Sequence, residues 1–151
     1  MTKKRGFALA LCCVGAVLVL TVGFWALYSS MRSYELHLPD FADLKSITLT
    51  QPGGEEVELV DARAEDVLFL LKGNGRTTNT ESIQDAPVNV ENWIKVDMNF
   101  WESGTSTLFV CHRPESRNGE YFIEQPYNGI YEISGEEYNS IQKYAEQEAA
   151  G

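Results

Sequence analysis

The stretch YFIEQPYNGIYEIS, from Tyr121 to Ser134, decides how the C-terminal part of the chain folds. Two runs rich in aromatic and β-branched residues, which favour strands, lie on either side of a proline and an Asn-Gly pair. Asn128-Gly129 is typical of a type I′ hairpin turn, because both central residues of that turn need positive φ. Ser134 followed three residues later by Glu137 is the pattern of a capping box at a helix start. The stretch therefore predicts a hairpin that runs into a capped helix.

Four stretches upstream have the period of two that indicates strands. The turn sequence PGGE lies between the first two, and ESGT lies between the last two. In the third stretch, Ile94, Val96 and Met98 share one face. The four predicted strands are residues 44–51, 55–61, 93–101 and 106–112.

A helix is predicted between the second and third of these strands. Asp61 suits its N-cap position, an apolar stripe at helical spacing starts at Val67, and Gly73 is the expected C-terminal stop. The predicted fold class is therefore α+β, with an antiparallel meander of about six strands, one helix after the second strand and one at the C-terminus.

The first part of the chain has a different character. From Phe7 to Tyr28 there are 22 residues without a charge, and a helix of this size is roughly 30 Å long, the thickness of the hydrocarbon layer of a bilayer. Three basic residues precede the run and only Arg32 closely follows it. The positive-inside rule then predicts a single-pass protein of the cell membrane, with its N-terminus in the cytoplasm and its C-terminal domain outside.

Two other outcomes for this segment stay open. Signal-peptide cleavage needs small residues after the apolar run, where Leu27 and Tyr28 are bulky. Lipid attachment needs a cysteine at the end of the run, and Cys12 and Cys13 lie too early. The predicted division of the chain is residues 1–6 as a basic cytoplasmic N-terminus, 7–28 as a transmembrane helix, 29–40 as a tether and 41–151 as an extracytoplasmic α+β domain.

The exported part is strongly acidic. All 22 acidic residues follow residue 28 together with nine of the 12 basic ones, which gives that part a net charge of −13. Such a charge repels nucleic acid and anionic lipid. It favours solubility, or affinity for a cationic partner. The expected partners are the membrane, through residues 7–28, and an envelope protein or peptide, and no nucleic acid is expected.

Candidate catalytic groups are sparse. The two histidines are His37, in the predicted tether, and His112. Cys111 is adjacent to His112, but neighbours on a strand point to opposite faces, so the two cannot pair, and Cys111 is expected to be a small buried residue. We therefore expect no catalytic residues, no metal site and no cofactor.

Aromatic residues and one long loop are the better candidates for function. The residues from Asn74 to Asn92 have no clear period, and long loops of this kind are often functional. Tyrosine and tryptophan are favoured at binding surfaces, although packing in the core would also explain them here. The tentative interaction surface consists of Arg76, Trp93, Trp101, Tyr127, Asn128 and Tyr131.

Three segments, NWIKVDMNF, GTSTLFV and YFIEQPYNGIYEI, resemble a family of uncharacterised small extracytoplasmic domains of low-GC Gram-positive bacteria. The resemblance runs from about Leu44 to Tyr144, and SIQDAP is similar to the family's loop before the third strand. Such domains carry an N-terminal membrane anchor or lipid, and this chain lacks the lipid-attachment motif. The resemblance implies a fold and a location, and no catalytic residue.

These features favour a membrane-anchored, non-enzymatic binding or sensing domain of unknown specificity. One alternative is an enzyme or small-ligand domain that uses residues 74–92 as a lid over a pocket in which Arg76, Asp97 or Glu124 converge. Another is an acidic inhibitor or immunity protein.

Overall fold

The computed structural model describes residues 15, 17–27, 32–115 and 120–146, and the chain divides into two compact units, residues 1–33 and 34–151. In the first unit, residues 15 and 17–27 are helical. No helix within the described ranges combines the length and the apolar character that crossing a membrane requires. The predicted transmembrane helix 7–28 is only partly covered, because residues 7–14, 16 and 28 lie outside the described residues, as does the predicted cytoplasmic N-terminus 1–6.

The described residues of the second unit, 34–115 and 120–146, form eight strands, two α-helices and a 3-10 turn. The helices are α1 (Asp61–Lys72) and α2 (Gly135–Glu146), and the 3-10 turn is Phe41–Asp43. The strands are β1 (Tyr34–Glu35), β2 (Leu44–Thr50), β3 (Glu56–Leu59), β4 (Thr77–Thr78), β5 (Asn92–Phe100), β6 (Thr105–Arg113), β7 (Glu120–Glu124) and β8 (Ile130–Glu132).

Six strands form one antiparallel sheet in the order β3-β2-β5-β6-β7-β8, and β1 pairs with β4 in a separate two-stranded ribbon. The predicted α+β class, with six antiparallel strands and two helices, is confirmed. The predicted simple meander is wrong at one step, because β5 pairs with β2 and not with β3. The seven-residue β2 matches the nine-residue β5 over most of its length, whereas β3 has only four residues. The longer pairing leaves β3 at the edge.

Both helices cover the same face of the sheet. Alternate residues of the central strands point into this core, and the helices add their apolar stripes; full burial of one such side chain contributes about 1.5–3 kcal/mol. The members that are at most 1 % exposed are Ile47, Leu49, Leu59, Ala64, Val67, Leu71, Ile94, Val96, Met98, Leu108, Val110, Ile123, Tyr131 and Ile141. The hydrophobic period that predicts the strands is thus the period of this core.

Two of the three predicted helix ends are confirmed. Gly73 ends α1 with φ +51° and donates its N–H to the Phe69 carbonyl at 3.1 Å. The capping box of α2 is confirmed, since Ser134 N donates to Glu137 Oε2 at 2.8 Å and Glu137 N donates to Ser134 Oγ at 3.2 Å. The prediction that Asp61 is the N-cap of α1 is wrong. Asp61 is the first helical residue, and the N-cap is Val60, whose side chain makes no capping hydrogen bond.

The hairpin between β7 and β8 turns differently from the prediction. The Asn128 N–H donates to the Gln125 carbonyl at 3.0 Å, so Pro126 and Tyr127 are the central residues of the turn. Tyr127 has φ +56°, and Asn128 and Gly129 do not have positive φ. Proline in second place and a positive φ in third place are typical of a type II turn. Because Pro126 fixes its own φ, it selects this turn over the type I′ turn at Asn128-Gly129.

Gly129 is nevertheless required, for a reason of space. A Cβ at this position would lie 2.7 Å from Thr78 Cγ2 and 2.9 Å from Tyr131 Oη. The strand after the turn can therefore approach β4 only with glycine here.

The ribbon of β1 and β4 lies in segments predicted to be irregular. Tyr34 faces Thr78 and Glu35 faces Thr77, and the Leu36 N–H donates to the Arg76 carbonyl at 3.0 Å. Half of the predicted tether 29–40 is thus part of the folded unit, which begins at residue 34. The loop 74–92 likewise contributes a strand. Strands of two residues are too short to produce a hydrophobic period.

Candidate functional site

A hydrogen-bonded group of side chains surrounds the β7–β8 turn. We call it the turn network; it comprises His37, Ser82, Glu124, Gln125 and Asn128. The side-chain amide of Gln125 makes two bonds to the backbone of His37, accepting from its N–H at 3.0 Å and donating to its carbonyl at 2.8 Å. These are the two bonds that a neighbouring strand would make, so Gln125 substitutes for a strand partner.

Asn128 extends the network to two more segments. Its amide donates to the Glu35 carbonyl at 2.8 Å and to Gln125 Oε1 at 2.6 Å, and its own backbone carbonyl accepts from Ser82 N at 3.2 Å. The start of the folded unit, the 74–92 loop and the β7–β8 turn are therefore joined at one residue.

Ser82 and Glu124 form a buried pair in the same network. Ser82 Oγ donates to Glu124 Oε1 at 2.7 Å, and the two residues are 2 % and 5 % exposed. His37, the histidine of the network, has its Nδ1 3.4 Å from the Asn128 amide and not at the serine. The pair satisfies two buried polar groups, as folded proteins require.

Arg76 links the C-terminal end of α1 to the first turn of α2 through hydrogen bonds. Its guanidinium donates to the carbonyls of Leu71 at 2.7 Å and Leu70 at 3.0 Å, and to Glu137 Oε1 at 2.7 Å. Burial alone would raise the pKa of Glu137, but the hydrogen bonds from Ser134 and the Arg76 guanidinium outweigh it and lower that pKa. Arg76 therefore has a structural role here, with 11 % of its side chain exposed.

The second face of the sheet, opposite the helices, is partly open and polar. On it, Thr107 Oγ1 donates to Asp97 Oδ1 at 2.5 Å, and Lys95 Nζ lies 2.6 Å from Asp97 Oδ2. The Asn99 side-chain amide donates to Ser46 Oγ at 3.2 Å and to Thr48 Oγ1 at 3.1 Å, both on β2. Cross-strand polar pairs of this kind stabilise a sheet surface that faces water.

A small apolar cluster covers the other part of this face. Phe109, Cys111 and Phe122 are its buried members, with Val90, Trp93 and Ile130 packed against them. Cys111 is fully buried, as predicted, and burial, followed by the charge of Glu124, raises the pKa of its thiol. The thiol is therefore unreactive at neutral pH.

An open groove of about 700 Å³ lies where the polar part of this face meets the β7–β8 turn. The Tyr127 ring stands beside it, 68 % exposed, and its hydroxyl donates to Asp85. That hydrogen bond raises the pKa of the Tyr127 hydroxyl, which stays protonated and keeps the bond at neutral pH. The groove is lined by His37, Asp85, Lys95, Thr105, Ser106, Thr107, Phe109, Gln125, Pro126, Tyr127 and Asn128.

The backbone of Tyr127 is in an unfavourable region. At φ +56° a side chain crowds the backbone, and glycine is the residue that type II turns favour in this place. A large, exposed ring therefore occupies a position whose backbone conformation favours glycine. Strained positions of this kind cluster at functional sites.

The six residues of the predicted interaction surface do not form one patch. Tyr127 and Asn128 line the groove together. Trp101 is 66 % exposed but lines another cavity, between the 3-10 turn and the β5–β6 turn. Trp93 is half-buried and packs edge-to-face on Phe109, with ring centroids 6.0 Å apart.

Tyr131 differs most from its predicted place on an exposed surface. It is 1 % exposed, because it points from β8 into the core beneath the helices.

The three residues of the lid hypothesis also lie apart. Arg76 lines a cavity of about 380 Å³ beside α1, Asp97 lies on the polar sheet face, and Glu124 is buried against Ser82.

The described residues contain no group of three potential metal ligands. The sequence did not place the other nine lining residues of the groove at a site; they include His37, Asp85, Lys95, Thr107 and Gln125. The alternation in β5 and β6 does indicate that Lys95 shares a face with Asp97. Nothing in the sequence indicates that His37 and Asp85 reach this place, because each comes from a segment without a period.

Comparison with known proteins gives a family without an assigned function. A family model described as "DUF5301: Domain of unknown function (DUF5300)" matches residues 32–132. No curated protein matches the chain. A solved structure, described as "NMR structure of the protein from Ruminococcus gnavus", is similar at 28% identity with a TM-score of 0.51, covering 66% of this chain and 91% of that one. The match covers almost all of that solved chain, so the matched domain of that protein folds with little additional sequence.

We expect the Arg76–Glu137 contact to make stability depend on pH. The pKa of Glu137 is lower in the folded state than its ordinary value of 4.5, so its contribution is present above that value and is lost as pH falls through the folded-state pKa. At pH 7, Glu137→Gln should lower the free energy of unfolding by about 1 kcal/mol, as for a partly exposed ion pair. Urea unfolding at pH 7 and pH 3 measures this.

The difference between Glu137→Gln and the wild type should shrink at pH 3. Glu136→Gln, in the same exposed first turn of α2, is the matched control and should change little at either pH. An equal difference at both pH values would contradict the assignment.

We expect Tyr127→Gly to leave the domain as stable as the wild type or to raise its melting temperature by up to about 4 °C, because glycine relieves the positive φ. Thermal unfolding followed by circular dichroism measures this. Trp101→Gly, an exposed aromatic in another turn without positive φ, is the control and should give no gain. A large loss of stability in Tyr127→Gly would mean that the ring is structural.

Proposed function

The chain belongs to the DUF5301 family, and we propose that it is a binding domain without enzymatic activity, displayed outside the cell and held at the membrane by its N-terminal segment. The observation that carries the proposal is Tyr127. Its ring is exposed beside an open groove, fixed by a bond to Asp85, and held in a backbone conformation that favours glycine. Ligand binding explains why such a residue is kept.

The location rests on the sequence of the first 32 residues. An uncharged apolar run of 22 residues prefers lipid to water, and the basic residues before it stay in the cytoplasm. The folded unit begins at residue 34, only a few residues beyond the predicted end of the span at Tyr28.

Binding explains the site better than catalysis does. The two carboxylates at the groove are engaged with other side chains: Asp97 with Lys95 and Thr107, and Asp85 with Tyr127. A general base must be free to take a proton from a substrate. The separation of Arg76 from this groove also argues against the lid hypothesis, since Arg76 closes the end of α1.

The test uses residues 32–151, immobilised and exposed to cell-envelope material of the organism that makes the protein. Wild-type protein and Trp101→Ala should retain the same envelope component, and Tyr127→Gly should lose it. Because Tyr127→Gly is expected to fold normally, the loss reports on the groove. Retention that is the same in all three proteins, or absent in all three, would contradict the proposed binding site.

Location is tested on the full chain in intact cells. Protease added outside should remove the acidic domain and leave a cytoplasmic marker protein untouched. Protection of the domain would contradict the proposed display outside the cell.

A further inference from the structure

The groove beside Tyr127 combines a fixed aromatic ring, charged groups that already have partners in the protein, and spare hydrogen-bonding capacity. We propose that it binds a neutral oligosaccharide, an inference that rests on the binding function proposed above and names its ligand class. Each of the three features restricts the ligand in a different way.

The ring of Tyr127 offers a flat apolar surface that is already held in place. Its backbone is set by the turn after Pro126, and its hydroxyl is bonded to Asp85. A ring fixed before binding loses little conformational freedom when a ligand covers it. The negative face of an aromatic ring attracts the weakly positive C–H groups of a flat partner. One face of a pyranose sugar presents such C–H groups.

The charged groups of the groove each have a partner within the protein. Lys95 Nζ lies 2.6 Å from Asp97 Oδ2, and Asp85 accepts a hydrogen bond from the neutral Tyr127 hydroxyl. A charged ligand would compete with these partners. The exported part also carries a net charge of −13, which repels anionic polymers. The groove therefore favours a ligand without charge.

Polar groups along the groove keep the capacity that sugar hydroxyls need. Thr107 donates its proton to Asp97 and Thr105 donates its proton to Asn99, so both hydroxyl oxygens can still accept. The ammonium of Lys95 has three donors, and the Lys95 side chain is 39% exposed. A sugar hydroxyl, which donates and accepts, matches these groups.

A peptide that adds as a strand fits this place less well. Strand addition needs a free sheet edge, and the edge at β8 is occupied by residues 80–82. Ile130 N donates to the Thr80 carbonyl at 2.9 Å, and Glu81 bridges Gly129. The groove opens on the face of the sheet, where side chains and not backbone groups meet a ligand.

The experiment follows backbone amide signals of ¹⁵N-labelled residues 32–151 during titration. The neutral probes are maltohexaose, cellohexaose, chitohexaose and the neutral polysaccharide fraction of the envelope. The charged and peptide probes are polyglutamate, polylysine and a neutral Gly-Ser peptide. We expect a saturable shift of signals from residues 105–109 and 125–128 with at least one neutral sugar, and with none of the other probes.

Tyr127→Gly and Tyr127→Ala should raise the dissociation constant for that sugar at least about tenfold, a loss of the size expected for an aromatic contact. Trp101→Ala is the matched control and should bind as the wild type does. The amide spectra of the variants show whether each is folded.

The inference is overturned if no neutral sugar gives a saturable shift up to about 10 mM, or if a peptide or charged polymer shifts the groove signals instead. If Tyr127-dependent retention of an envelope protein is found in that case, the binding function stands and only the sugar class is wrong. If neither assay depends on Tyr127, both are wrong.

Discussion

The two hydrogen bonds between the Gln125 side chain and the His37 backbone hold the β7–β8 turn and the start of the folded unit together. They attach the start of the folded unit to the last hairpin, where no strand is available to pair with it. Gln125 is 7 % exposed, so its amide would be costly to bury without these partners. The same side chain accepts a bond from Asn128, which fixes the turn that carries Tyr127.

The sheet uses its two faces differently. One face is closed by both helices and provides the apolar burial that stabilises a unit without a disulfide; Cys111, its one described cysteine, is free. The other face carries a small aromatic cluster and a polar region that remains open to water. A domain with only one closed face leaves the other for recognition, and Tyr127 stands at the boundary between the aromatic and the polar parts.

The sequence predicts the regular elements well and the site poorly, for one physical reason. Strands and helices that border a core repeat their apolar residues, so the six strands of the main sheet and both helices leave a period. The sequence does not tell which face is covered, and the predicted surface therefore includes Tyr131, which lies in the core, and Trp93, which packs on Phe109.

The site is formed by contacts between segments that are distant in sequence, and a local sequence pattern does not predict such contacts. The ribbon of β1 and β4 is two residues long, and His37 and Gln125 are 88 residues apart in sequence. The turn type depends on Pro126, whose fixed φ outweighs the Asn-Gly signal that follows it. The capping box of α2 is local and is predicted correctly, which marks the limit of what spacing alone provides.

Amide hydrogen exchange of His37 tests most directly whether the Gln125 side chain holds the turn and its tyrosine in place. In residues 32–151 we expect the His37 amide to exchange slowly, and we expect the same of the Leu36 amide because of its hydrogen bond to the Arg76 carbonyl. In Gln125→Ala the protection of His37 should disappear while that of Ile94 in the central sheet is kept. A His37 amide that exchanges in the wild type as fast as the exposed amide of Gly53 would contradict the account.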